Sequence, residues 1–163
     1  MYKAIPKHQF IQLLIRGGQI ISVLMENVMW LERIREYAKS IRLININPPA
    51  TETEVQHLKN SFCEVPDDLI YLLKELNGDC CVMLSVNEIV ETNQRLRKLV
   101  DYMPLDCLLF FAGNGNGDYY GYQIRKDGIC PFNIFLWDHE SDNRTWIAGS
   151  MDEFISKYCN GEI

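Results

Sequence analysis

The sequence predicts an α+β fold, a mostly antiparallel β-sheet packed against several helices, with an extra helical segment at the N-terminus. Three observations carry that reading. Apolar residues recur at three- and four-residue steps through the first half, two Ser/Thr-x-x-Glu capping boxes punctuate it, and strand-like runs between Gly- and Asn-rich turns fill residues 108–137. At 163 residues, 47% apolar and 23% charged, the chain has the composition of an ordinary globular domain large enough to bury a core. Residues 28–163 read as one compact unit and residues 1–27 as an N-terminal helical extension.

In the extension, Phe10, Leu13 and Leu14 predict a short helix over 7–16, ended by Gly17-Gly18. Ile20, Leu24, Val28 and Leu31, with Trp30, Ile34, Tyr37 and Ile41 as an adjoining stripe, predict a longer helix over 19–41. Asn47-Pro48-Pro49 breaks it. Thr51 and Glu54 then form a capping box, opening a helix that buries Val55, Leu58 and Phe62. Val65-Pro66-Asp67-Asp68 opens the next, because proline tolerates the first turn and carboxylates favour the positive end of the helix dipole. Leu69, Leu72, Leu73 and Leu76 form its inner face, and Asn77-Gly78 is its left-handed stop. Cys80–Leu84 reads as a short strand. Ser85 and Glu88 form the second capping box, which starts a helix toward Val100.

Leu108–Ala112 and Asp118–Arg125 read as strands joined by Gly113-Asn114-Gly115-Asn116-Gly117, residue types that accept positive φ. Lys126-Asp127-Gly128 turns the chain into a third run, Phe132–Trp137, which closes on Asp138-His139-Glu140. The result is a three-stranded meander with a charged tip. Alternation puts Tyr120 and Tyr122 on one face and Tyr119 on the other. It also buries Trp137, while the turn after Asp138 swings His139 outward. A last helix runs from near Met151 to Tyr158, with Phe154 and Ile155 inward.

The residues exclude several functions. Six cysteines (Cys63, Cys80, Cys81, Cys107, Cys130, Cys159) offer no C-x-x-C spacing, so they read as reduced thiols rather than disulfides or a zinc site. No cofactor is implied. Gly113-x-Gly115-x-Gly117 lacks the following helix of a dinucleotide fingerprint and the Lys-Ser/Thr of a P-loop, and Asp118 would repel phosphate. Asp138-His139-Glu140 could serve acid–base chemistry or, with Asp118 and Asp142, gather a cation. No nucleophile motif or EF-hand spacing accompanies them, so a structural or partner-contact role is the better reading. No apolar run approaches the roughly 20 residues that span a bilayer, and no signal-peptide pattern is evident, which argues for the cytoplasm and against membrane insertion. Residues 1–50 carry seven Lys/Arg against three acids, and residues 51–163 nine against nineteen. Such an acidic body is a poor nucleic-acid binder and a suitable partner for a basic protein.

The motifs also follow a recognisable order. A Trp30-bearing helix precedes the Pro49/Thr51/Glu54 helix start, then Val65-Pro66-Asp67-Asp68 through Leu73 to Asn77-Gly78, then the Ser85–Ile89 helix start. Phe111 through Gly115, Gly117, Asp118 and the tyrosines come next, and Trp137-Asp138-His139-Glu140 leads to Ser150 and Phe154. This order resembles the SUKH superfamily over roughly residues 28–160. Leu69 or Ile70 stands where that family usually has an aromatic, and Asp79-Cys80 replaces its common extra glycine.

What the resemblance implies is a non-enzymatic protein-binding domain. Many bacterial members are immunity proteins that occupy the active or substrate-binding surface of a secreted toxin, often a nuclease. A regulatory scaffold like the fungal cell-wall assembly regulators is the alternative, and a small hydrolase using His139 is a third reading. The compact sequence without disordered tails favours immunity. With the charge balance, the expected partner is a basic toxin domain met by Asp118, Tyr119, Tyr120, Asp138, His139, Glu140 and Asp142. A homodimer is also open, with residues 1–27 as either a dimer contact or a cover over the sheet.

Overall fold

Capping chemistry decides where the central helices begin. The Thr51 hydroxyl accepts from the Glu54 N–H while the Glu54 carboxylate accepts from the Thr51 N–H, and Ser85 and Glu88 repeat the exchange. The structure, a computed structural model, describes residues 30–40, 45–79 and 82–163. Within them α1 covers 30–40, α2 Glu52–Ser61, α3 Asp67–Glu75 and α4 Val86–Leu96. Four strands follow, β1 (Leu108–Gly113), β2 (Tyr119–Arg125), β3 (Gly128–Asp138) and β4 (Asn143–Ala148), and α5 (Met151–Cys159) comes last. Pro66 stands at the N-cap of α3, where its missing N–H loses no helical bond, and Gly78 takes the left-handed φ of +86° expected after α3.

The strands form one antiparallel sheet in the order β1-β2-β3-β4, and its two faces are unequal. Leu109, Phe111, Tyr120, Tyr122 and Ile134 join a large core with α1–α5. Leu108, Phe110 and Trp137 turn the other way into a small second core, closed by Leu96 of α4 and by Leu105 of a single 3₁₀ turn (Leu105–Cys107). Gly121 permits this close pairing: a Cβ there would lie 2.9 Å from the Leu109 carbonyl oxygen. α1 docks on α5, where the Trp30 indole N–H and the Arg33 guanidinium both donate to Asp152, and Arg33 also donates to Ser156.

Several sequence expectations need correction. The meander has four strands rather than three. β4 was missed because its residues, Asn143-Arg144-Thr145-Trp146-Ile147-Ala148, form a short, largely exposed edge strand with little apolar patterning. β3 starts at Gly128 rather than Phe132. The register with β2 slips between Ile134 and Cys130, leaving Pro131, Phe132 and Asn133 without β2 partners, so the proline removes no ladder bond. β2 begins at Tyr119, since Asp118 belongs to the turn. The helix from Ser85 stops at Leu96 and does not reach Val100, because Lys98 and Leu99 bond i−3 carbonyls and tighten the end. Phe62 lies at the C-cap of α2 rather than within the helix, half-buried against the large core with the Arg97 guanidinium over its ring. Of the short strand expected at Cys80–Leu84, the described part shows one bridge, Met83 to Ala112. The helix expected over 7–16, residues 19–29 and 41 of the longer one, the 1–27 extension, and Cys80 and Cys81 lie outside the described residues.

Candidate protein-binding tip

Three stretches meet at one end of the sheet: the Gly113–Asp118 turn, the Asp138–Asn143 turn and the loop from Arg97 to Pro104. The first is wound by Asn114, whose side chain accepts from the Asn116 and Asp118 N–H groups and donates to the Asp118 carboxylate at 2.8 Å. Asp118 in turn accepts from the His139 N–H and stands 2.7 Å from His139 Nδ1, clasping the two turns together. The imidazole lies over Gly117, at φ +103°, where an added Cβ would come within 3.0 Å of the ring. A glycine is required there on both counts.

The electrostatics follow from the clasp. Its hydrogen bond to Asp118 raises the His139 pKa above the ordinary 6.5, against an opposing effect of burial. Burial pushes Asp118 upward, but the bonds from His139 and Asn114 outweigh it and hold the carboxyl below the ordinary value. Asp138 is lowered by the Ser141 hydroxyl and by the backbone N–H groups of Ser141 and Glu140, which it caps.

Asp142 has a different part. Held at φ +55°, it accepts from the Trp137 indole N–H at 2.9 Å and from the Met103 N–H at 2.8 Å, and it pairs with Arg144 at 2.9 Å. Arg144 also donates to the carbonyls of Asp142 and Met103. Trp137 is 1% exposed, stacked on Tyr119 at 6.5 Å and met edge-on by Tyr102 at 5.1 Å. The carboxylate of Asp142 is therefore a fastener between the sheet and the Arg97–Pro104 loop.

The residues expected to meet a partner thus divide. Asp118, Tyr119, Asp138, His139 and Glu140 lie together at the tip, Glu140 exposed and the His139 side chain 35% exposed. Tyr119 is half-buried, its hydroxyl accepting from Arg95. Tyr120 is 4% exposed and belongs to the large core, as its alternation with Tyr119 dictates, so it offers no contact surface. Tyr102 and Met103 were missed because they follow the helix in a segment without periodicity. The available signal was an apolar pair, Leu99-Val100, just beyond the end of the amphipathic pattern.

One ligand atom from each of Asp118, Asp138 and His139 lies within 4.8 Å of the others, a spacing that could admit a cation. Those groups are already engaged with one another and with the turn N–H groups. Among the described residues no helix is long and apolar enough to cross a membrane.

Residues 49–157, well over half of the chain, match the SMI1 / KNR4 family (SUKH-1). The chain belongs to that family. No curated protein matches it. The SUKH-1 match runs from the first described proline turn to α5, so it takes in the whole sheet and all three stretches of the tip. α1 lies before the matched region and is fastened to this SUKH-1 domain through Trp30 and Arg33.

Proposed function

We propose that this SUKH-1 protein is an immunity protein. In this reading it has no catalytic activity of its own and resides in the cytoplasm. It neutralises a secreted polymorphic or contact-dependent toxin, such as a nuclease, by covering the toxin's active surface. The observation that carries the reading is a tightly fastened acidic tip on a SUKH-1 domain. Residues 51–163 hold nineteen acids against nine bases, and a cleft that handles nucleic acid is basic.

The tip suits this task physically. Asp118, Tyr119, Asp138, His139 and Glu140 are held by hydrogen bonds before any partner arrives, so little conformational freedom is lost on binding. Opposite potentials speed the encounter, and the aromatic Tyr119 supplies rigid contact area beside the charges. A binding role for His139 is favoured over a catalytic one by its surroundings. Among the described residues its ring hydrogen-bonds only Asp118 and is paired with no hydroxyl or thiol, the Ser141 hydroxyl being engaged by Asp138.

The test is to sequence the genes flanking this one and to co-express any toxin domain they encode; the absence of such a domain would count against the proposal. Growth should be restored and the two chains should purify as one complex. Growth arrest in the presence of folded, abundant protein would overturn the proposal.

A further inference from the structure

The Arg97–Pro104 loop carries exposed apolar residues on a rigid base. Val100 is 90% exposed, Met103 59% and Leu99 38%, three within five positions. Scattered apolar residues on a surface need no explanation, but this group is clustered and specifically held. Met103 is gripped on both sides of its peptide, its N–H by Asp142 and its carbonyl by Arg144 at 2.9 Å. Tyr102 beside it is wedged against the buried Trp137. The fold thus fixes the loop's backbone and leaves Val100 and Met103 standing in solvent.

The surroundings narrow what can cover them. Asp101 and Asp106 flank the apolar residues in sequence, and both are exposed. The turn to which the loop is fastened adds Asp138 and Glu140. Of the nearby bases, Arg144 is turned inward on Asp142 with its side chain 16% exposed, Arg97 lies over Phe62, and Arg95 lies over the Tyr119 ring and donates to its hydroxyl, which leaves Lys98 without a partner in the fold among the described residues. A second copy of this chain would set acids against acids, and an anionic membrane surface would be repelled as well.

We propose that Leu99, Val100 and Met103 are the anchor of the docking surface, entering an apolar pocket on a partner protein whose rim carries lysine and arginine. The inference deepens the immunity reading, and rests on it for the identity of the partner. The apolar residues supply the desolvated centre, and Asp101, Asp138 and Glu140 the charged rim, the division seen in interfaces where a few residues dominate affinity.

The test uses the full chain and a random dodecapeptide phage library, followed by the toxin domain of the neighbouring gene. Peptides enriched on the wild type should combine aromatic or aliphatic residues with Lys or Arg. They should bind the Val100→Asp/Met103→Asp variant at least about tenfold more weakly, the loss of one hot-spot contact or more. Both positions point into solvent, so melting of this variant should match the wild type, and Val100→Ser/Met103→Ser provides a version without added charge. Toxin protection should fall with both variants. Failure to enrich any peptide, or equal peptide binding by wild type and both variants, would overturn the anchor. So would a concentration-dependent dimer of the wild type that Val100→Asp abolishes, since the occupant would then be a second copy. If the wild type gives no toxin protection, the immunity reading falls while the peptide result still decides the anchor.

Discussion

At the scale of single residues, the tip depends on two carboxylates doing unlike jobs. Asp142 fastens Trp137, Met103 and Arg144, whereas Asp118 clasps His139. Trp137→Ala is expected to cost about 3–5 kcal/mol, because it empties the second core beneath the tip. Thermal or urea melting measures this, and a loss under about 1 kcal/mol would show that the second core bears little load. The clasp sets a pH window. His139 titrates above 6.5, so the stability gained from its charged form is complete below 6.5 and lost as pH rises through the raised value. Asp118 titrates below 3.8, so its contribution is present above 3.8 and lost as pH falls through the lowered value. The clasp is therefore complete between those two limits. NMR titration should place the His139 pKa above 6.5 in the wild type and nearer to it in Asp118→Asn. An unchanged His139 pKa in that variant would remove Asp118 as the cause.

At the scale of elements, α4 is tied to the sheet by one buried side chain. Asn93 donates to the Ile89 and Phe110 carbonyls at 2.8 and 2.7 Å and accepts from the Phe110 N–H at 3.0 Å. It satisfies the β1 backbone just where the register with β2 shifts, between Phe110 and Ala112. Asn93→Ala leaves that N–H and carbonyl buried without partners, an expected loss of about 2–4 kcal/mol by denaturant melting. Asn93→Asp should not recover it, because its second carboxylate oxygen would be buried against the Ile89 and Phe110 carbonyls to which Asn93 donates. Neither tie nor bulge was legible in the sequence. A buried asparagine in a helix looks like any polar helical residue until its distant partner is known, and β4 shows no alternation, its apolar residues falling together at Trp146-Ile147-Ala148. The helix starts were legible because capping boxes are local chemistry, in which Thr51 needs only Glu54 and Ser85 only Glu88. The charged tip was legible as a composition. The roles within it were not, since the inward turn of Asp142 follows from a φ of +55° and from a loop about forty residues away in sequence.

At the scale of the whole molecule, the described residues form one antiparallel sheet over a large apolar core, and stability is expected to need no disulfide or metal. The described cysteines Cys63, Cys107, Cys130 and Cys159 are free thiols, and burial pushes Cys159 up to about 11, which keeps it protonated and unreactive. Melting with chelator or with reductant should therefore overlay the untreated curve within about 2 °C, less than 1 kcal/mol for a chain of this size. In the proposed role the acidic tip steers a basic toxin domain. The most direct measurement is the association rate of the neighbouring gene's toxin domain with the wild type and with Asp101→Asn/Asp138→Asn/Glu140→Gln, at low and high salt. These three residues are chosen because their amide forms leave the clasp and the Asp142 fastener in place. The expected result is a several-fold slower association of the triple variant at low salt and convergence of the two proteins at high salt, since exposed charges act through a screened field. Equal association rates at low salt would contradict the claim and move the binding face away from the tip.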